Sequence, residues 1–203
     1  YFGPVFEDYV GLILKDAYGE TEVKPEIKYK KGKFIDWHVE KDEKVYLFEV
    51  KAKQFSLKTL QTGDIELIKK EVREKLLRAV KQVYSRISEI DSYEELKKFR
   101  GKKIIPIIIF LDIPLVSAGG YKKIINGDLM SLESEEKYRG ISQFDYHLLN
   151  VEELEDYAYV SKQTDIEEIF ENIKSNPSTG FTSEINRLIN YKKPSKNLID
   201  RTF

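Results

Sequence analysis

The sequence has no cysteine among its 203 residues, which excludes disulfides and thiolate metal sites. It also has no apolar run of about 18 residues and no signal-peptide pattern. We therefore expect a cytoplasmic protein that is neither membrane-inserted nor secreted. The sequence also has no large excess of one charge, because it contains 34 Lys and Arg residues and 35 Asp and Glu residues. This balance is not that of a strongly basic nucleic-acid-binding protein, so binding to nucleic acid would need a local basic surface or another domain.

The length of the chain is enough for one domain with a substantial core. We expect a core domain over residues 1–160 and a C-terminal helical extension over residues 161–203. Because the sequence begins with Tyr1 rather than methionine, we expect further domains of a longer chain or a partner subunit, and a homodimer stays open. We find no internal repeat, zinc-ligand spacing or glycine-rich phosphate loop.

Two predicted strands, residues 34–40 and 45–52, flank four charged residues that suit the tip of a hairpin. In a symmetric hairpin, positions whose numbers sum to 85 face each other, and Asp36 and Glu49 form such a pair. Opposed side chains in an antiparallel pair lie about 4.5–5.5 Å apart at Cβ. Lys51 shares the face of Glu49, because strand side chains repeat every two residues. Carboxylates this close repel each other, and a hard divalent cation with oxygen ligands commonly offsets that repulsion.

The alternative for this hairpin is a solvated face on which Lys51 is only an ion partner. The apolar residues around it argue against that alternative, because both faces of the second strand carry them, which is typical of an interior strand. One face holds Val45 and Leu47 beside Glu49 and Lys51, and the other holds Tyr46, Phe48, Val50 and Ala52. On the first strand, a single buried apolar face is predicted from Ile35, Trp37 and Val39.

A helix is predicted over residues 3–17, with Pro4 in its first turn. Glu7 shares one line of this helix with small or apolar residues, which suits a carboxylate directed inward. These residues are Val10, Gly11 and Leu14. The alternative is a first-turn glutamate that complements the helix dipole.

The remaining pattern predicts an α/β fold. Apolar residues at three- and four-residue steps predict a long helix from residue 65 to about residue 90, and the apolar run 104–111 predicts a strand covered on both faces. A strand, a helix and a second buried strand make a crossover unit. The other predicted elements are an edge strand over 22–30, an irregular loop with short helical pieces over 113–143, a strand over 146–149 and a short helix near 182–190. Three capping pairs predict where further helices begin: Ser92/Glu95, Asn150/Glu153 and Thr164/Glu167.

The order of these features resembles the PD-(D/E)XK nuclease superfamily over about residues 3–112. The matching residues are Ile35-Asp36, twelve intervening residues, and then Glu49-Val50-Lys51, with Ile35 at the position of the proline in the motif. A helix that carries a glutamate, followed by a strand and this hairpin, also matches the order of the superfamily core. The resemblance implies a restriction-endonuclease-like core, with a mixed central sheet flanked by helices in the order α-β-β-β-α-β.

The resemblance also implies a metal-dependent nuclease that hydrolyses phosphodiester bonds, with DNA preferred over RNA, in restriction, repair or mobile-element defence. Asp36, Glu49 and the Val50 carbonyl would hold Mg²⁺, for which Mn²⁺ could substitute. Glu7 would bind a second ion or orient water, and Lys51 would position the attacking water. Two alternatives stay open: a catalytically silent module for nucleic-acid binding or protein assembly, and a metal-free interaction domain.

Three further residues are candidates for substrate contact. Gln82 follows the Glu-x-Lys strand on the long helix, where some nuclease families carry a glutamine. His38 shares the face of Asp36, and Lys53 continues the alternation of Glu49 and Lys51. The alternatives are an exposed helix glutamine, a hydrogen-bonded histidine and a solvated strand end.

Overall fold

A five-stranded mixed sheet lies at the centre of the computed structural model, which describes residues 2–111, 118–176 and 179–191. The strands are β1 (Val23–Pro25), β2 (Lys28–Tyr29), β3 (Gly32–Lys33), β4 (Trp37–Lys41), β5 (Lys44–Lys51), β6 (Lys103–Phe110) and β7 (His147–Asn150). The helices are α1 (Phe2–Tyr18), α2 (Leu57–Thr62), α3 (Ile65–Glu71), α4 (Arg78–Ile87), α5 (Ala118–Leu132), α6 (Val151–Val160), α7 (Ile166–Ser175) and α8 (Phe181–Tyr191), and a π-helical turn (Val72–Leu77) joins α3 to α4.

The strand order of the sheet is β1-β4-β5-β6-β7, while β2 and β3 form a separate hairpin. The β1/β4 and β4/β5 pairs are antiparallel, and the β5/β6 and β6/β7 pairs are parallel. The helices between β5 and β6 make the crossover that a parallel pair requires. The predicted mixed α/β class, with helices flanking a mixed sheet, is confirmed.

Two apolar cores cover the two faces of the sheet. On one face, Val45 and Leu47 of β5 pack against the helical segment from α3 to α4 and against α5. On the other face, Tyr46 and Phe48 pack against α1, α6, α7 and α8. The alternation predicted for β5 is confirmed, and it explains why Glu49 and Lys51 project toward the helices that follow this strand.

The first strand of the hairpin begins later than predicted. Residues 34–36 are irregular, and Asp36 lies in a bend directly before β4. The predicted apolar face is therefore wrong in part, because alternation starts only at Trp37. Ile35 lies in the core beside the long helix, whereas Trp37 and Val39 face the core that contains α1.

The predicted loop over 113–143 is also wrong where it is described, because α5 occupies much of it; residues 112–117 lie outside the described residues. Its glycines suggested turns. However, Tyr121, Ile125 and Leu129 lie at four-residue steps and are buried. This apolar stripe outweighs the cost of glycine in a helix, about 1 kcal/mol per residue relative to alanine.

The starts of α1, α3 and α8 agree with the predicted helices, whereas only one of the three predicted capping pairs is confirmed. Asn150 and Glu153 form the predicted capping box of α6. By contrast, α7 is capped by Asp165 rather than Thr164, and Ser92 caps no helix, because short 3₁₀ turns occupy residues 90–99. Helix α2 was not predicted, and its N-cap is Ser56.

The strand predicted over 22–30 is divided between two sheets. Its first part is β1 at the edge of the main sheet, where Pro25 is tolerated, and its second part is β2 in the small hairpin. No helix among the described residues is long and apolar enough to cross a membrane.

Candidate active site

Asp36 and Glu49 meet at the open end of the β4/β5 hairpin. The observed register pairs Trp37 with Phe48 and His38 with Leu47, so the predicted register is confirmed. One step further along, the Asp36 carboxylate accepts a hydrogen bond from the backbone N–H of Val50 at 2.6 Å. Residue 36 lies outside β4, so the side chain of Asp36, and not its backbone, makes the next hydrogen bond to β5.

Glu49 is almost completely buried, with a side chain 2% exposed. Lys51 Nζ lies 2.5 Å from one carboxylate oxygen, and Arg86 Nη1 lies 2.7 Å from the other. Burial raises the pKa of Glu49 and the negative charge of Asp36 raises it further, while Lys51 and Arg86 act in the opposite direction. The two carboxylates are therefore close enough to repel each other.

The ammonium group of Lys33 contacts three carboxylates at this end of the hairpin. Its ammonium lies 2.7 Å from Asp36 Oδ1, 2.6 Å from Glu7 Oε1 and 3.3 Å from Glu26 Oε2. Burial would lower the pKa of Lys33, but the hydrogen bonds to Asp36 and Glu7 outweigh it and raise this pKa. Lys33 is therefore a permanent positive charge between Glu7 and Asp36. Sequence reasoning missed this role, although its position three residues before Asp36 was a usable signal.

Glu7 reaches this cluster because α1 packs directly on β4. The Trp37 indole N–H donates a hydrogen bond to the Glu7 carbonyl at 3.1 Å, and the ring occupies the space above Gly11. A Cβ on Gly11 would lie 2.3 Å from Trp37 Cζ2, so only glycine permits this approach. Since α1 begins at Phe2, Glu7 is not in its first turn, and the helix-dipole alternative does not apply.

Gln82 does contact the motif lysine. Its side-chain oxygen accepts a hydrogen bond from Lys51 Nζ at 3.1 Å. Arg86, which holds Glu49, lies four residues later on the same face of α4. Sequence reasoning missed Arg86, although its spacing from Gln82 placed it on that face.

His38 lies farther along β4, in a different set of contacts. Its Nε2 is 2.9 Å from Lys98 Nζ, and its ring packs edge-on against Phe99. Burial, with the charge of Lys98 as the next cause, lowers the pKa of His38 to about 4. At neutral pH the imidazole is uncharged and packed within the protein.

A cleft of about 710 Å³ lies beside Lys51, at the carboxyl end of β5. We call it the basic cleft, because five cationic side chains line it along with the single acidic residue Glu74. These are Lys51, Lys53, Arg73, Lys75 and Arg78. The cleft is therefore a local basic surface on a chain whose net charge is close to zero, and such a surface attracts polyanions. Lys53, a candidate from the sequence, is exposed within it.

The oxygen donors near Asp36 fit a hard divalent cation. No three His, Cys, Asp or Glu side chains of the described ranges are grouped so as to hold a metal ion. Mg²⁺ needs no such group, because it keeps several waters and uses one or two carboxylates. Asp36 and Glu49 provide two carboxylates, and the Val50 carbonyl lies on the same side of β5 as the N–H that binds Asp36.

No protein-family model matches the sequence, and no curated protein is significantly similar to it. Among solved structures, the chain is similar to the small subunit of the heterodimeric restriction endonuclease R.BspD6I. The TM-score is 0.43 and the sequence identity is 12%, over 92% of this chain and 88% of that chain. At this level of overlap the similarity carries no information about activity.

Proposed function

We propose that this chain is a metal-dependent nuclease that hydrolyses phosphodiester bonds, with DNA as the preferred substrate. The observation that supports this most directly is the meeting of Asp36 and Glu49, with Lys51 on the face of Glu49 and beside the basic cleft. This arrangement combines acidic metal ligands, a cation for the reacting phosphate and a surface for the rest of the substrate.

Each residue of the candidate site would have its own role in hydrolysis. Asp36, Glu49 and the Val50 carbonyl would hold Mg²⁺ or Mn²⁺, while Glu7 would orient water near Asp36. When bound, such an ion polarises the phosphate and lowers the pKa of a bound water. Lys51 holds a proton at Nζ, which it can direct to a phosphate oxygen, and Gln82 fixes the position of that ammonium.

The test is cleavage of linear, circular and single-stranded DNA and of RNA, with Mg²⁺ or Mn²⁺, by the wild type, Asp36→Ala and Lys51→Ala. We expect cleavage by the wild type that stops when the metal is chelated, and loss of cleavage in both variants. Absence of wild-type cleavage on every substrate, together with no Mn²⁺ binding, would contradict the proposal.

A second candidate is a catalytically silent module of the same fold, which binds nucleic acid or assembles with another protein. It is favoured by the donors that already occupy the two carboxylates: Lys33 and the Val50 N–H on Asp36, and Lys51 and Arg86 on Glu49. DNA binding without cleavage, and without any change when Mn²⁺ is added, would select this candidate.

A further inference from the structure

We propose that the basic cleft binds the phosphate backbone of a nucleic acid, mainly through Lys53 and Arg78, and that it does so without reading bases. This inference deepens the proposed function by assigning the surface that delivers the strand to Lys51. It makes a separate prediction about binding, which can be measured in the absence of divalent metal.

The charges of the cleft differ in how far they are already neutralised. Three of its five cations have partners within the protein, in the pairs Lys51–Glu49, Arg73–Asp128 and Lys75–Glu71. The side chains of Lys53 and Arg78 are exposed, and they form no hydrogen bond or ion pair with any other described residue. These two side chains can pair with phosphates without first breaking an internal contact, so they should contribute most to binding.

The backbone around the cleft has an unusual feature that also suggests a binding site. The π-helical turn Val72–Leu77 carries Arg73 and Lys75, and α4 begins directly after it with Arg78. π-helical turns inside helices occur frequently at functional sites. One turn beyond Arg78 on the same helix, Gln82 contacts Lys51. The cleft therefore leads from Arg78 toward the candidate active site.

The residues that line the cleft also indicate how a nucleic acid would be recognised. No aromatic side chain is found among the described residues of its wall. Sequence-tolerant binding of bases depends on stacking against aromatic rings, whereas Lys and Arg bind phosphates whatever the sequence. We therefore expect binding that depends strongly on salt and little on sequence.

The experiment measures fluorescence anisotropy of labelled duplex DNA, single-stranded DNA and RNA in EDTA, between about 50 and 200 mM salt. It compares the wild type with Lys53→Ala/Arg78→Ala and with the control Lys24→Ala/Lys162→Ala. The control removes the same charge from two exposed lysines, on β1 and after α6, that are not in the cleft.

For the cleft variant we expect about tenfold weaker binding at the lower salt concentrations, equally for different sequences. The slope of log K against log salt should become shallower by about 1.8 on duplex DNA, or about 1.4 on a single strand, since each lost phosphate contact contributes about 0.9 or 0.7. The control should bind like the wild type with at most a small uniform change. The substrate with the larger loss identifies the strand type that the cleft accepts.

Three results would overturn this inference: no binding by the wild type, an unchanged slope in the cleft variant, or an equal loss in the control. These results are separable from a failure of the proposed function. A wild type that binds through Lys53 and Arg78 but never cleaves would leave the cleft assignment in place. A wild type that cleaves while the cleft variant binds normally would leave only the nuclease proposal.

Discussion

Lys33 and Asp36 form an ion pair at the centre of the candidate site, with the ammonium 2.7 Å from Oδ1 of the carboxylate. The same ammonium contacts Glu7 at 2.6 Å, so one protein cation already lies among the proposed metal ligands. A metal bound as proposed would therefore have to compete with Lys33 for Asp36. This competition would make the affinity for metal sensitive to a residue that is not itself a ligand.

We expect Lys33→Met to bind Mn²⁺ about tenfold more tightly than the wild type, because a competing and repelling positive charge is removed from the ligands. Titration followed by electron paramagnetic resonance of free Mn²⁺ measures this directly. Lys30→Met is the matched control, since Lys30 is an exposed lysine in the neighbouring turn. Equal or weaker Mn²⁺ binding by Lys33→Met would show that Lys33 does not compete with the metal.

Gly11→Ala should destabilise the protein by about 1–3 kcal/mol, the usual cost of overpacking a core. The added methyl group would overlap the Trp37 ring and push α1, which carries Glu7, away from β4. Urea unfolding gives the free energy of unfolding. Gly3→Ala is a suitable control, because a Cβ at Gly3 meets no atom within 4 Å. Equal stability of the two variants would mean that the Gly11–Trp37 contact is not tight.

The pH dependence of stability should carry a contribution from His38. Its pKa is about 4 in the folded protein and about 6.5 when unfolded, so the unfolded chain takes up a proton first as the pH falls. His38 should therefore lower the free energy of unfolding progressively between pH ~6.5 and ~4. Urea unfolding across this range should show a shallower decline in His38→Gln than in the wild type. Parallel declines would exclude a buried, neutral His38.

The hairpin could be predicted from the sequence because local features determine it. The four charged residues fix the position of the turn, and the alternating apolar residues of the second strand fix which side chains are buried. Only one register meets both conditions, and in that register Asp36 lies opposite Glu49. The glutamate on α1 was likewise found from helical spacing, whereas the glutamine on α4 was found from the resemblance to nuclease families. Their contacts with Lys33 and Lys51 could not be derived in the same way.

Apart from the Lys33–Asp36 pair, the contacts that sequence reasoning missed join residues that are far apart in the chain. Lys33 lies 26 positions from Glu7, and Arg86 lies 37 positions from Glu49. Such pairs depend on how α1 and α4 pack on the sheet, which periodicity alone does not specify. The basic cleft is a further example, since its cations come from β5, the segment after it, the π-helical turn and α4.

The most direct test of the central claim is Mn²⁺ binding by the wild type, Asp36→Asn, Glu49→Gln and Lys51→Ala, each shown to be folded by circular dichroism. We expect both carboxylate variants to lose at least about tenfold in affinity, because even residues that only orient metal ligands are worth about 10–100-fold. Lys51→Ala should keep the affinity or increase it, since Lys51 is a cation that contacts Glu49 and not a ligand. Equal Mn²⁺ affinity in all four proteins, or no binding in the wild type, would contradict a metal site at Asp36 and Glu49.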